Sequence, residues 1–254
     1  MPNVKLIDTH THLEDIEDLS EAMKRAENAG ISSIIAVASD YESNKRVLEI
    51  SCKYGNVQVY PALGLHPWGL QTSKINPTMS FIEKNIHKAV AIGEVGLDFW
   101  SKEARKDPKT REAQKDVFKS LLELAKKYAK PVLIHARGAW EDSFNLIREA
   151  QISKAVFHWF SGPLEVLDKI LDSGYLISAT PALEYSKSHQ RAIIKAPLES
   201  LFLETDCPVE YQGIRSEPAD LLRTLKAVAK LKGKKIEEVA RITTENSLRF
   251  FNLD

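Results

Sequence analysis

The run Asp8-Thr9-His10-Thr11-His12 places two imidazoles two residues apart. In an extended chain alternate side chains share a side, so His10 and His12 can chelate one metal ion. A bare HxH pair is more often two exposed loop histidines. Glu94, in Gly93-Glu94-Val95-Gly96-Leu97-Asp98, shares parity with Val90 and Ile92 and is expected to face the same interior. A carboxylate there needs a counter-charge or a proton, and an ordinary ion pair would serve. Asp98 reads equally as a loop cap or a site residue. His135 follows Val132-Leu133-Ile134, His158 follows Ala155-Val156-Phe157, and Asp206 follows Leu201-Phe202-Leu203-Glu204-Thr205. Singly, each of these histidines reads best as a satisfied polar core residue. Together, four histidines and two carboxylates fall at the same end of five apolar runs. That inventory suits one or two divalent ions, with imidazoles for first-row metals and carboxylates to bridge and neutralise. Metal binding is the stronger reading of the joint spacing.

Other residues near these positions carry weaker signals. Arg137, two residues past His135, reads equally as a bidentate phosphate clamp and as a surface salt bridge. His66, in Gly64-Leu65-His66-Pro67, is expected to touch substrate or to make a structural hydrogen bond. Ser161-Gly162-Pro163 leads into a helix whose amides could cradle an anion or form a plain cap. Cys207 has the opposite parity to Asp206 and is not read as a nucleophile. His87 and His189 read as surface residues. Trp68, Trp100, Trp140 and Trp159 all follow strand ends, and so do Tyr185 and Tyr211. Such a rim could stack nucleobases at about 1–3 kcal/mol each; loop packing is expected for at least half of it. Arg105, Lys106, Lys109 and Arg111 form either a basic patch or a solvated charge run.

The elements that must position these groups are short and β-branched. Strands are expected at Val4–Asp8, Ser33–Ala38, Gln58–Leu63, Ala89–Gly93, Pro131–Ile134, Ala155–Phe157, Tyr175–Ser178 and Leu201–Thr205, apolar enough to be covered on both faces. Amphipathic sequence alternates with them. The clearest helix runs from Pro108 to Tyr128, capped by Asp107, with Val117, Leu121, Leu124 and Tyr128 at helical spacing. Leu221 to Ala229 and Ile236 to Phe251 mark two more, and Phe99–Lys109 reads as a charged loop. Eight strand–helix units point to a (β/α)₈ barrel, with an open doubly wound sheet as the alternative. In the barrel, active sites lie at the C-terminal strand ends, where the histidines and carboxylates fall. No linker or repeat interrupts the pattern, so residues 1–254 are read as one domain.

Composition narrows the function further. Hydrophobic residues at 43% and charged residues at 28% exclude collagen-like and disordered classes. Lys+Arg and Asp+Glu number 35 each, which argues against a uniformly basic nucleic-acid clamp but not against a local basic site. Cys52 and Cys207 are too few and too far apart for a disulfide framework, which favours a reducing cytoplasm. No signal-peptide pattern opens the chain, and no run approaches the roughly 20 apolar residues of a membrane span.

In order along the chain stand DTHTH, GLHP, GEVGLD, IHAR, HWFSG and ETDCP. This ordered set, from Leu6 to about Phe251, resembles the signatures of the TatD-like metal-dependent DNases, within the amidohydrolase superfamily. The resemblance implies a single distorted (β/α)₈ TIM barrel. It also implies a hydrolase holding two divalent ions (Mg²⁺, Mn²⁺ or Zn²⁺) on His10, His12, Glu94, His135, His158 and Asp206. His10 and His12 would hold one ion, His135 and His158 the other, and Glu94 would bridge. Asp206 would also take a proton from the attacking water, which makes Asp206 and Glu94 the expected catalytic carboxylates. Arg137, His66 and Trp159 are the expected substrate contacts, and the expected substrate is DNA, cut at phosphodiester bonds from an end. The alternative is an amide or ester hydrolase, of amidohydrolase or aminoacyl-tRNA deacylase type. Two positions depart from the family pattern. Trp159 stands where a smaller residue is common, and Ser216-Glu217-Pro218 stands where Asn-Glu-Pro is common.

Overall fold

A computed structural model describes residues 5–51, 57–68, 70 and 72–253; Val4 and Cys52 lie outside them. Eight strands pair in parallel, each with the next in chain order: β1 (Leu6–Thr11), β2 (Ile31–Val37), β3 (Gln58–Leu65), β4 (Ala91–Gly96), β5 (Val132–His135), β6 (Ala155–Phe157), β7 (Leu176–Ala179) and β8 (Leu201–Leu203). The helices between and after them are α1 (Leu19–Asn28), α2 (Tyr41–Ser51), α3 (Thr72–Asn85), α4 (Lys102–Lys106), α5 (Pro108–Lys127), α6 (Trp140–Glu149), α7 (Leu164–Asp172), α8 (Lys187–Lys195), α9 (Leu221–Lys232) and α10 (Ile236–Phe251). The sheet curls into a nearly closed barrel. Where β8 meets β1, the join is made by Asp206 N–H to His10 O (2.9 Å), His12 N–H to Cys207 O (2.8 Å) and Thr9 Oγ1 to Leu203 O (3.1 Å).

Strand side chains divide between two layers. Ile35, Val37, Ala62, Ala91, Leu133, Val156 and Phe202 come from six strands and meet in one cluster. Residues of six strands can share a cluster only in the barrel interior. Their sequence neighbours, such as Ile34, Ala36, Leu63, Ile92 and Ile134, pack in the larger cluster with the helices. Phe250 and Phe251 of α10 reach the interior set, with ring centroids 5.2 and 5.6 Å from Phe202. They plug the end of the barrel opposite the strand C-termini.

The sequence places the elements well, with local differences. Helix α5 has Asp107 as its cap, accepting from Lys109 N–H at 2.9 Å, and Pro108 at its start. The segment read as a charged loop contains α4, capped by Ser101, whose side chain accepts from Ala104 N–H. Strands β1 and β4 end three residues later than expected, so His10 and Glu94 stand on strands rather than beyond them. Among the described residues no helix is long and apolar enough to cross a membrane.

Candidate metal centre

Glu94 is the hub of the C-terminal face. Its Oε2 lies 3.4 Å from His10 Nε2 and 3.3 Å from His12 Nε2. Its Oε1 lies 2.7 Å from His135 Nδ1 and 2.8 Å from His158 Nε2. Asp206 Oδ1 lies 3.6 and 3.7 Å from His10 Nε2 and His12 Nε2. The His10 and His158 rings stack with centroids 4.1 Å apart. All six residues singled out in the sequence as ligands therefore converge, each carboxylate oxygen of Glu94 facing one histidine pair.

Strand irregularities aim these groups. Ile92, whose side Glu94 was expected to share, packs in the outer layer. Strict alternation from it would turn Glu94 outward. The β4–β5 register shifts between Ile92 and Val95, and the β3–β4 register between Leu63 and Leu65. The bulge reverses the face, so Glu94 points inward for a reason other than parity. On β1 the register shifts between Asp8 and Thr11, next to His10. Asp206 adopts a left-handed backbone, φ 51°, an uncommon conformation that aspartate tolerates better than most residues.

The donor set fits divalent cations. Both ring nitrogens of buried His10 lack a hydrogen-bond partner among the described residues. Such an orphaned acceptor is costly unless something occupies it. Ligand atoms of His10, His12 and Asp206 lie within 4.8 Å of one another, as do those of His10, Glu94 and His158. His135 Nδ1 and His158 Nε2 are 3.3 Å apart. Two nitrogens on one tetrahedral ion, each at about 2.0–2.1 Å, would be about 3.3–3.4 Å apart. Electrostatics agree. Burial alone would lower the histidines, but contact with Glu94 outweighs it, together with Glu14 for His12, Asp98 for His135 and Glu204 for His158. His135 is held above its ordinary pKa, and His12 and His158 well above. Burial would raise Glu94, yet the surrounding imidazoles hold it well below the usual carboxylate range. The centre is thus a buried anion that draws positive charge around it.

Three further carboxylates support the rings. Glu14 Oε1 lies 3.5 Å from His12 Nδ1, Asp98 Oδ2 3.1 Å from His135 Nε2, and Glu204 Oε1 3.5 Å from His158 Nδ1. Asp98 serves both of its expected roles. Its Oδ1 accepts the Trp100 and Ser101 N–H groups, and its Oδ2 also accepts Trp68 Nε1–H at 2.5 Å. Sequence reasoning passed over Glu14 and Glu204 as site residues. The available signal was their place two residues from His12 and Asp206.

The remaining candidates divide. His66 joins the centre, its Nε2 3.5 Å from Glu94 Oε1. Arg137 donates through Nε and Nη2 to Asp98 Oδ2 at 3.0 and 2.9 Å and lies over the Trp68 ring. Trp159, φ 43°, gives its N–H to Glu204 Oε1 and Ser178 Oγ, and its ring tilts against Tyr211. Trp68 and Trp100 are 55% and 50% exposed, whereas Trp140 packs edge-on against Trp100 and Phe160. Tyr211 is fully buried, so about half of the aromatic set packs loops. Cys207 is a buried free thiol whose pKa burial pushes well up. His87 is exposed as expected, but His189 is wholly buried. Its Nδ1 lies 2.7 Å from Phe160 O and its Nε2 accepts Thr180 N–H at 3.1 Å. Periodicity on α8 did not reveal that this face is covered.

Comparison with known proteins agrees with the geometry. A family model described as TatD related DNase matches residues 7–252. The human protein named Deoxyribonuclease TATDN3 is 31% identical over 262 residues, covering 98% of this chain and 95% of its own. The Bacillus subtilis protein YabD, named an uncharacterized metal-dependent hydrolase, is 32% identical over 262 residues, covering 98% and 100%. The crystal structure of the TatD homolog YjjV from Escherichia coli superposes with a TM-score of 0.87 at 29% identity, covering 99% of each chain. With its barrel and its histidine-carboxylate centre, this chain belongs to the TatD-related DNase family.

Proposed function

We propose that the chain is a divalent-metal-dependent deoxyribonuclease that hydrolyses phosphodiester bonds from a DNA end, as a single barrel domain of residues 1–254 acting in the cytoplasm. The observation that carries this reading is Glu94, with one oxygen facing His10 and His12 and the other facing His135 and His158. One ion would sit with His10, His12 and Asp206, a second with His135 and His158, and Glu94 would touch both. Imidazole-rich sets suit zinc or manganese, while magnesium prefers oxygen. Two ions so held would lower the pKa of water and offset charge on phosphoryl oxygens. Burial raises Asp206 from its ordinary value, against the opposing pull of His10, His158 and His12. A carboxylate so raised is the stronger base, and Asp206 takes the proton of the attacking water. Arg137 presents a guanidinium edge to a phosphate oxygen, while Trp159 and His66 line the substrate's approach. The DNA substrate is carried over from the family and the human relative's name.

The test is an assay of metal-reconstituted protein on labelled single-stranded DNA, duplex DNA, and simple ester and amide substrates. DNA shortened from an end, abolished by chelation and restored by divalent metal, is the expected result. Rapid ester or amide hydrolysis with no phosphodiester cleavage would move the chain to a different bond class while leaving the metal centre intact.

A further inference from the structure

His135 turns one nitrogen toward Glu94, and the partner of its other nitrogen decides where the proton stays. Its Nε2 lies 3.1 Å from Asp98 Oδ2, a hydrogen bond. A carboxylate only accepts. It keeps a proton on the outward nitrogen, so the proton such a ring gives up is the inward one. That leaves an inward lone pair, the arrangement of a metal-binding histidine.

His66 is built the other way round. Its Nδ1 accepts the Trp68 backbone N–H at 3.1 Å, and its Nε2 faces Glu94 Oε1 at 3.5 Å. A neutral ring that accepts at Nδ1 carries its hydrogen on Nε2. Coordination through Nε2 would require moving that hydrogen to Nδ1, which would break the bond from Trp68 N–H, or removing it to leave an imidazolate. Edge-on contacts with Trp68 and His135, centroids 4.7 and 4.4 Å away, fix the ring's orientation. By distance alone His66, Glu94 and His135 could form a third metal set; the hydrogen-bond pattern argues against it.

We infer that His66 is not a metal ligand but a fixed hydrogen-bond donor, its Nε2–H aimed into the centre at a substrate oxygen that gains negative charge in the reaction. The inference rests on the hydrolase reading of the site but not on DNA as the substrate.

Two measurements independent of turnover test it. Long-range ¹H–¹⁵N spectra of histidine-labelled protein should show His66 protonated at Nε2 with and without added zinc. Elemental analysis of His66→Ala should find the wild-type metal content, whereas His135→Ala should lose metal. On a phosphodiester substrate, kcat of His66→Ala should fall about 10²–10³-fold, the range for removing one such donor, with a much smaller change in KM. His66→Gln, whose amide can still donate, should recover at least ten-fold of that loss. A His66 protonated only at Nδ1, an Ala variant short of metal, or an Ala variant with wild-type kcat would each overturn the inference. If wild type cleaves no phosphodiester, the DNA reading falls, while the spectra and the metal count still decide the role of His66.

Discussion

Among the described residues Glu94 meets five imidazoles through two oxygens, His66 included, and Asp206 is a second inward carboxylate, 3.6 and 3.7 Å from His10 and His12 Nε2. Their environments set them apart. Burial raises Asp206, whereas the surrounding rings hold Glu94 well down. At neutral pH Glu94 is the fixed anion and Asp206 the better proton acceptor. Asp206→Asn keeps the size and one oxygen but removes the charge and the basic site. It should retain fold and most DNA binding while turnover falls about 10²–10⁴-fold, the range for a lost general base. Chelation should abolish wild-type activity, and added divalent metal should restore it to wild type but not to the variant. Cleavage by Asp206→Asn at the wild-type rate with equal metal content would remove Asp206 from the proton transfer.

At the scale of elements, close approach between strands places Glu94. A Cβ on Gly64 of β3 would lie 2.5 Å from the backbone N and O of Glu94, and no flexible side chain can yield there. Gly64→Ala should push β4 outward and cost about 1–3 kcal/mol. It should also lower metal content in elemental analysis, although residue 64 touches no metal. Helix α8 makes a second tie, because His189 links Phe160, after β6, to Thr180, after β7. Burial brings its pKa down to about 4 from 6.5. The unfolded chain therefore binds this proton more readily, and the stability tied to neutral His189 is intact above pH 6.5 and lost as pH falls toward 4. At pH 5 the loss is about 2 kcal/mol, from 1.36 kcal/mol per pH unit. Urea denaturation at pH 7 and pH 5 should show wild type losing about that much more than His189→Gln; equal slopes would show that His189 does not titrate in this range. The converging set of histidines and carboxylates was legible because strand ends are short, apolar and punctuated by ionisable residues. His135 and His158 follow simple alternation from Leu133 and Val156, both of the interior cluster. Glu94 does not, because a bulge is a property of paired strands and leaves no fixed mark in one of them. Buried His189 and the supporting Glu14 and Glu204 were hidden for a related reason: their meaning comes from what packs against them across the chain.

At the scale of the whole molecule, charge balance limits how DNA can be held. Lys+Arg and Asp+Glu are equal at 35, and Arg25, Arg137, Arg215 and Arg223 each pair with an acidic side chain. Equal numbers of both signs leave no net positive field to hold a phosphate track along a strand. The exposed groups beside the centre are instead aromatic, with Trp68 and Trp100 half exposed and Arg137 lying 5.2 Å from the Trp68 ring. A nuclease built this way should bind single-stranded DNA mainly by stacking and by one or two phosphate contacts near the cut. Each neutralised phosphate on a single strand contributes about −0.7 to the slope of log K against log salt, so the slope should be about −1 and no steeper than about −2. Trp68→Ala or Trp100→Ala should weaken binding by about 1–3 kcal/mol, equally at low and high salt, with the slope unchanged. Arg137→Ala should make the slope shallower by about 0.7. Fluorescence anisotropy with a labelled oligonucleotide, in metal and with Asp206→Asn to prevent cleavage, measures all three. A slope of −4 or steeper would mean that a phosphate track on the surface holds the strand, and undiminished affinity in both tryptophan variants would reject stacking at the rim.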